Sequence, residues 1–309
     1  MARTGVMVTG HRIGPFRLLL LRLFAWLWRF RTLALSAKVF SQVTSPCFLK
    51  RRFLGHWLYL DVFRSSAQRL LYLEGERFIA ELSLVRNLVR AGSIVVDVGA
   101  NIGYYTLLFE KAIGPGGRIV AFEPEPDNLI ELRMNVERNG LSNVSVQPYA
   151  VGSRAGMVSF AKGINGGVRG DIDSMTGDAI QVPMVTLDEA LAGPVDLIKV
   201  DVEGYEEEVL LGAKGIIQRF RPNLFVEIHP TLMTGNHTAE RVISLLSQYY
   251  SQIDLYQPAR CQSVFGKALS RYSGVGSVER LPSWETVANL CRQGRQDTFW
   301  AICRSRRDQ

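Results

Sequence analysis

Acidic residues are missing from the first 60 positions, where ten Lys or Arg stand against none; Asp61 is the first acid. The remainder carries 26 basic against 29 acidic side chains, so the net charge of +7 belongs to an N-terminal arm and not to the body. This distribution argues against a nucleic-acid binder. Cysteines are few, and Cys47, Cys261, Cys291 and Cys303 form no C-x-x-C pair and no zinc-ligand spacing. A radical-type iron–sulfur cluster is excluded with them. We read the four as free thiols in a reducing compartment and place the protein in the cytoplasm. Internal repeats and low-complexity tracts are also missing.

A long uncharged apolar run is lacking too. The most hydrophobic stretch is "FRLLLLRLFAWLWRF", residues 16–30, and its longest uncharged piece is the six residues Leu23 to Trp28. A membrane-spanning helix needs about 20 largely uncharged residues. Arg22 interrupts the run, and Arg17 and Arg29 flank it. Three readings stay open. Residues 16–31 form an interfacial helix with Trp26 and Trp28 at a membrane boundary, a helix packed on the body or a partner, or a targeting peptide. The arm is taken as residues 1–55 and the body as 56–309.

The body alternates strand and helix patterns. A helical spacing of apolar residues covers 74–90 and stops at Gly92. "SIVVDV" reads as a first buried strand, "RIVAFEP" as a second, "NVSVQPYAVG" as a third, "VDLIKVDV" as a fourth and "NLFVEIHP" as a fifth. Helices are expected from "IGYYTLLFEKAI", from "PDNLIELRMNVERNG", from about Tyr205 to Phe220, and near 238–250. Residues 152–185 are less regular and suggest a hairpin. Such alternation predicts a doubly wound α/β fold with a mostly parallel sheet. Ligands of such folds bind beyond the carboxyl ends of the strands, at the topological switch point.

The first strand leads into "VVDVGANIGYYT", residues 95–106. A glycine loop entering a helix lets a ligand approach the backbone. The dinucleotide fingerprint G-x-G-x-x-G is incomplete, because Asn101 stands where its central glycine would be. That argues against a nicotinamide dinucleotide and for a nucleoside cofactor without phosphates. S-adenosylmethionine fits, with its amino-acid end at the loop and Asp97. Glu123 ends the second strand, 24 residues after Gly99, and can accept both ribose hydroxyl protons.

Four blocks occur in one order: "VVDVGANIGYYT", "AFEPEPDN", "VDLIKVDVEGYEEEVLLGA" and "RPNLFVEIHP". Together they resemble the FkbM family of S-adenosylmethionine-dependent methyltransferases, strongly over residues 56–229. The resemblance implies a Rossmann-like class I methyltransferase sheet of seven strands with an antiparallel last strand, for which "TFWAICR" is the candidate. It also implies O-methylation of a hydroxyl on a sugar, glycan or secondary metabolite. The implied cofactor residues are Asp97, Gly99, Asn101, Gly103, Tyr104, Thr106, Glu123, Asn128, Ala150 and Asp201. Acceptor choice is expected in the 160–180 segment.

A second constellation follows. Period-two alternation puts Lys199, Asp201 and Glu203 on one face of the fourth strand, and Glu227 and His229 on one face of the fifth. A lysine and several acids on central strands are costly unless paired. One reading is an ion-pair network, Lys199 with Glu227. The other is catalytic, with His229, Asp201, Glu227 and Lys199 around the acceptor. His229 beside acids, with an ordinary pKa of about 6.5, is the expected general base. A divalent metal held by Asp201, Glu203, Glu227 or His229 is the alternative to a metal-free site.

Two other functions compete. A nucleic-acid methyltransferase is disfavoured by "DVEG", which replaces the Asn/Asp-Pro-Pro-aromatic motif typical of amino-group methylation of bases. An inactive cofactor-binding scaffold recruited to a membrane is disfavoured by the presence together of Asp97, Glu123, Asp201 and His229.

Overall fold

Buried β-branched runs separated by amphipathic segments build most of the described chain. The computed structural model describes residues 48–62, 64–65, 67–68, 71–72, 82–161, 179–258, 278–294 and 298–305. The chain divides into two units, residues 1–79 with 261–276, and residues 80–260 with 277–309. The arm stretch 16–31, the greater part of the 160–180 segment, and both Cys47 and Cys261 lie outside the described residues. Cys291 and Cys303 are free thiols. Among the described residues, no helix is long and apolar enough to cross a membrane.

In the first unit, β1 (Phe48–Phe53) pairs antiparallel with β2 (His56–Asp61). Leu54 and Gly55 both have positive φ, 51° and 95°. Those angles suit the two-residue turns that match strand twist. The hairpin straddles residue 55, where the arm was expected to end. Trp57 takes Lys50 and Arg52 over its ring, at 4.7 and 5.1 Å from the centroid.

The second unit opens with α1 (Leu82–Arg86) and β3 (Ile94–Val98). Then come α2 (Tyr104–Ile113), β4 (Arg118–Phe122), α3 (Pro126–Arg138) and β5 (Val144–Gln147). After β6 (Ala150–Val151), the expected hairpin forms from β7 (Gly156–Ala161) and β8 (Ala179–Val185), with Ala161 opposite Ala179. The chain continues through α4 (Leu187–Ala190), β9 (Leu197–Val200), α5 (Glu206–Leu211), α6 (Lys214–Phe220) and β10 (Asn223–Ile228). It closes with α7 (Ala239–Ser247), β11 (Ile253–Pro258), β12 (Val278–Arg280), α8 (Trp284–Arg292) and β13 (Phe299–Cys303).

Among the described residues the main sheet has eight strands, ordered β12-β11-β13-β10-β9-β3-β4-β5. The four pairings from β10 through β9, β3 and β4 to β5 all run parallel, and β13 runs antiparallel to both β10 and β11. "TFWAICR" therefore supplies the antiparallel strand as expected. The expected count of seven is corrected to eight, because β12 adds a short edge strand. Two of its three residues, Glu279 and Arg280, are charged, and no apolar run announces it.

From β3 the chain winds outward through β4 and β5, then returns to β9 on the other side of β3. The switch point lies between β3 and β9, so their carboxyl ends define the place where a ligand enters. Leu224, Val226 and Ile228 of β10 are fully buried in the core on one sheet face, with Val242 and Leu246 of α7.

Two further expectations are corrected. The third strand breaks in two: Pro148 offers no N–H to a ladder, and β6 leaves the main sheet to pair with β8. The helix from Tyr205 to Phe220 also breaks. The Gly212 carbonyl accepts the Asp188 N–H at 3.0 Å, and the Asp188 carboxylate caps the new helix by accepting from Gly215 and Ile216 N–H at 2.9 and 2.8 Å.

Candidate active site

The loop after β3 is shaped by contacts that only small or left-handed residues permit. Gly99 has φ of 72°, and a Cβ there would lie 1.8 Å from the Asp201 carbonyl oxygen. The N–H groups of Gly99 and Ala100 both donate to the Phe122 carbonyl, at 3.0 and 2.9 Å. Asn101 follows in the left-handed region at φ 51°. Asn tolerates it because its side chain bonds locally, here accepting from Ile102 N–H at 2.8 Å. Gly103 caps α2 with φ of 94°.

Glu123 stands at the end of β4. Its Oε2 accepts the Asn101 N–H at 2.8 Å, and its Oε1 accepts the Glu125 N–H at 2.9 Å. Asn128, from the first turn of α3, donates to Oε1 at 3.5 Å. Burial is the largest influence on this carboxyl and raises it to about 7, against the lowering by the two backbone N–H groups.

Asp97 is fully buried beneath the loop. Thr106 Oγ1 donates to its Oδ2 at 2.7 Å, and the Lys199 ammonium lies 3.3 Å from its Oδ1. Asp97 and Lys199 are register partners across β3 and β9. The same ammonium donates to the Gly99 carbonyl at 3.0 Å, lies 3.4 Å from Asp201 Oδ2, and sits 4.8 Å above the Tyr105 ring. Burial works to lower the Lys199 pKa, but the charges of Asp97, Asp201 and Glu227 outweigh it and raise it. The ion pair expected with Glu227 is thus replaced. Across β10 the register partner of Lys199 is Phe225, which leaves Glu227 two residues further on.

The second constellation lies at the adjoining end. Strand pairing by β9 stops at Val200, so Glu203 is not on the strand face the alternation predicted; it occupies the left-handed region at φ 54°. His229 Nδ1 lies 2.9 Å from Glu206 Oε1, which also accepts the Gly204 N–H at 3.0 Å. His229 Nε2 faces Glu227 Oε1 at 3.6 Å, Glu203 Oε2 at 3.8 Å and Asp201 Oδ1 at 3.9 Å.

Burial works to lower the imidazole pKa, but Glu206, then Glu227 and the charge of Asp201, push it up to about 12. Burial foremost, then the Asp201 charge, raises Glu203 to about 7. Asp201 is also raised, chiefly by burial. Glu227 is lowered, because its His229 contact and nearby cations outweigh its burial. His229, the expected general base, is thus flanked by four carboxylates whose charges favour its protonated form.

A cleft opens over these strand ends. Gly99, Asn101, Glu123, Asn128, Ala150, Asp201 and Glu203 line it. Asp97, Gly103, Tyr104 and Thr106 do not, and neither do Lys199, Glu227 and His229. Asp97 and Thr106 support the loop from below. Sequence reasoning missed Tyr149, Phe160 and Tyr205 in the wall. It also missed Glu206, one of three successive acids at 206–208. The sequence alone gave no sign of which of the three turns inward.

A family model described as the methyltransferase FkbM domain matches residues 97–253, a little over half of the 309. The chain is 32% identical to the 31-O-demethyl-FK506 methyltransferase FkbM of Streptomyces tacrolimicus, over 41% of this chain and 61% of that protein. It is 29% identical to the hexuronic acid methyltransferase AglP of Haloferax volcanii, over 52% of this chain and 65% of that protein. The matches therefore span less than two thirds of either relative. The solved structure of a methyltransferase FkbM from Methylobacillus flagellatus KT is similar at 19% identity, covering 77% of this chain and 52% of that one, with a TM-score of 0.43.

Proposed function

The chain belongs to the FkbM methyltransferase family, and from that premise we propose that it is an S-adenosylmethionine-dependent O-methyltransferase. Its acceptor is a hydroxyl of a sugar, glycan or secondary metabolite. The observation that carries this reading is Glu123: a buried carboxylate beside a glycine loop, aimed by two backbone N–H groups. A carboxylate has about four lone-pair sites; the two backbone N–H groups take one each, and the Asn128 amide holds a third only at 3.5 Å, so a ribose hydroxyl pair fits by displacing that long contact. Asn101 in place of a glycine narrows the approach that a pyrophosphate would need.

S-adenosylmethionine, when bound, supplies a methyl group activated by its sulfonium. The protein's own contribution is placement and exclusion of water. Glu123 and Asn128 hold the ribose. The backbone of Gly99 and Asn101 meets the amino-acid end, and Ala150, Val151 and Phe160 give an apolar wall. Asp201 and Glu203 line the same cleft, so the acceptor hydroxyl arrives at their end. The two curated relatives act, by their names, on 31-O-demethyl-FK506 and on a hexuronic acid, which supports a small-molecule or sugar acceptor over nucleic acid. For the arm, residues 16–31, we retain peripheral contact with a membrane surface.

Isothermal calorimetry of the full chain tests the reading. S-adenosylmethionine is expected to bind and NAD not to. Glu123→Ala is expected to weaken that binding by about 2–3 kcal/mol, as for a charge-assisted contact to buried hydroxyls. Unchanged affinity in a folded Glu123→Ala protein would remove Glu123 from the cofactor site.

A further inference from the structure

We propose that Asp201, Glu203 and His229 form a site for one divalent cation of the magnesium–manganese class, opening on the cleft. Each residue offers one ligand atom, and these atoms all lie within 4.8 Å of one another. They come from three places in the chain: the end of β9, the loop after it and the end of β10.

The second observation is the aim of His229. This side chain is more than nine-tenths buried. Glu206 fixes its Nδ1 at 2.9 Å. Its Nε2 then points into the carboxylates of Glu227, Glu203 and Asp201, at ion-pair distances of 3.6, 3.8 and 3.9 Å. A metal-ligating histidine characteristically gives its other ring nitrogen to a carboxylate, which sets the tautomer and aims the ring.

Charge balance agrees. Asp97, Asp201, Glu203, Glu206 and Glu227 surround one lysine and one histidine. Buried acids in such excess are costly without a further cation. Carboxylate oxygens with a single imidazole and no thiolate suit magnesium or manganese better than a sulfur-seeking ion. Asp201 and Glu203 line the cleft while His229 and Glu227 lie behind it, so the cation's open side faces the cleft. There it would hold an acceptor oxygen and make its hydroxyl more acidic. That role, unlike the site itself, rests on the methyltransferase reading.

The test uses full-length protein stripped with a chelator and titrated with Mn²⁺, followed by calorimetry and electron paramagnetic resonance. One Mn²⁺ per chain is expected, displaced by excess Mg²⁺. Glu203→Gln, at the more exposed ligand, should weaken Mn²⁺ by at least about tenfold, and Glu206→Gln by about 10–100-fold as for a residue that orients a ligand. In the unmodified protein, Mn²⁺ should selectively broaden the His229 ring resonances, a readout that needs no variant. Absence of stoichiometric Mn²⁺ binding, or His229 signals untouched by it, overturns the site. S-adenosylmethionine affinity measured on the same stripped protein separates the two readings. Cofactor bound without Mn²⁺ binding refutes the cation site alone; Mn²⁺ bound without cofactor binding refutes the methyltransferase reading alone.

Discussion

The Lys199 ammonium lies 3.3 Å from Asp97 Oδ1 and 3.4 Å from Asp201 Oδ2, so one buried cation ties the strand end beneath the glycine loop to the strand end that lines the cleft. Its stem is packed under Tyr105, with the ammonium 4.8 Å from the ring centroid. Neither acid has another lysine or arginine ion-paired to it among the described residues.

Removing that cation leaves the buried Asp97 without its ammonium and leaves Asp201, partly exposed at the cleft, with His229 alone at 3.9 Å. Lys199→Met is expected to cost about 3–5 kcal/mol in denaturant unfolding, the range for breaking a buried ion pair by one side. Adding Asp97→Asn should return part of the loss, since one of the orphaned charges is then gone. A double-mutant cycle measures the coupling. Strict additivity would show that Lys199 and Asp97 do not interact.

Stability should carry a pH signature from Glu123. The folded chain holds this carboxyl at about 7 against an ordinary 4.5. Between those values the folded chain binds more protons here than the unfolded chain. Its contribution to stability is therefore greatest below pH 4.5 and is lost as pH rises to about 7. Glu123→Gln removes that slope. Thermal melts should show the variant at its worst relative to the parent near pH 4, with the gap narrowing by pH 7.5. A constant gap across that range would mean that Glu123 ionises normally.

Gly99 and Gly140 offer a matched comparison. Both have positive φ, 72° and 64°, but a Cβ at Gly140 meets nothing within 4 Å, whereas at Gly99 it meets the Asp201 carbonyl at 1.8 Å. Gly140→Ala should cost about 1–2 kcal/mol from the left-handed backbone alone. Gly99→Ala adds a clash of backbone with backbone and should cost more than about 3 kcal/mol or prevent folding. Equal losses in chemical denaturation would contradict the crossing of these two loops.

The arm is tested by charge. Replacing Arg17, Arg22 and Arg29 with Glu in the full chain should end co-sedimentation with anionic vesicles and leave cofactor affinity unchanged. Salt should weaken the parent's binding in the same direction, because basic residues near an anionic surface are screened. A parent protein that stays in the supernatant at low salt rules out the interfacial reading.

The parallel core was legible because its strands are buried on both faces and so read as near-continuous apolar runs with one or two polar residues each: "IVVDV", "RIVAF", "LIKV" and "NLFVEI". The cleft residues at strand ends were legible for the same reason, since an acid closing such a run marks the carboxyl edge. Partnership was not. Alternation puts Lys199 and Glu227 on facing strands, but only sheet order and register make Asp97 its partner. The break at Gly212 was hidden because it depends on Asp188, 24 positions earlier. The partner of His229 was hidden because Glu206, one of three successive acids, had no distinguishing mark.

The register of the β7–β8 hairpin bears on how such a chain changes its substrate. Ala161 and Ala179 face each other across the ladder, so residues 162–178 leave and rejoin the sheet at a single pair. Closing a loop costs free energy that grows only with the logarithm of its length, about 0.6 kcal/mol per doubling. Tyr149, Ala150 and Phe160, which shape the cleft wall, all lie outside that interval. A change of length between Ala161 and Ala179 is therefore expected to leave the pairing of β7 with β8, and with it Phe160, in place.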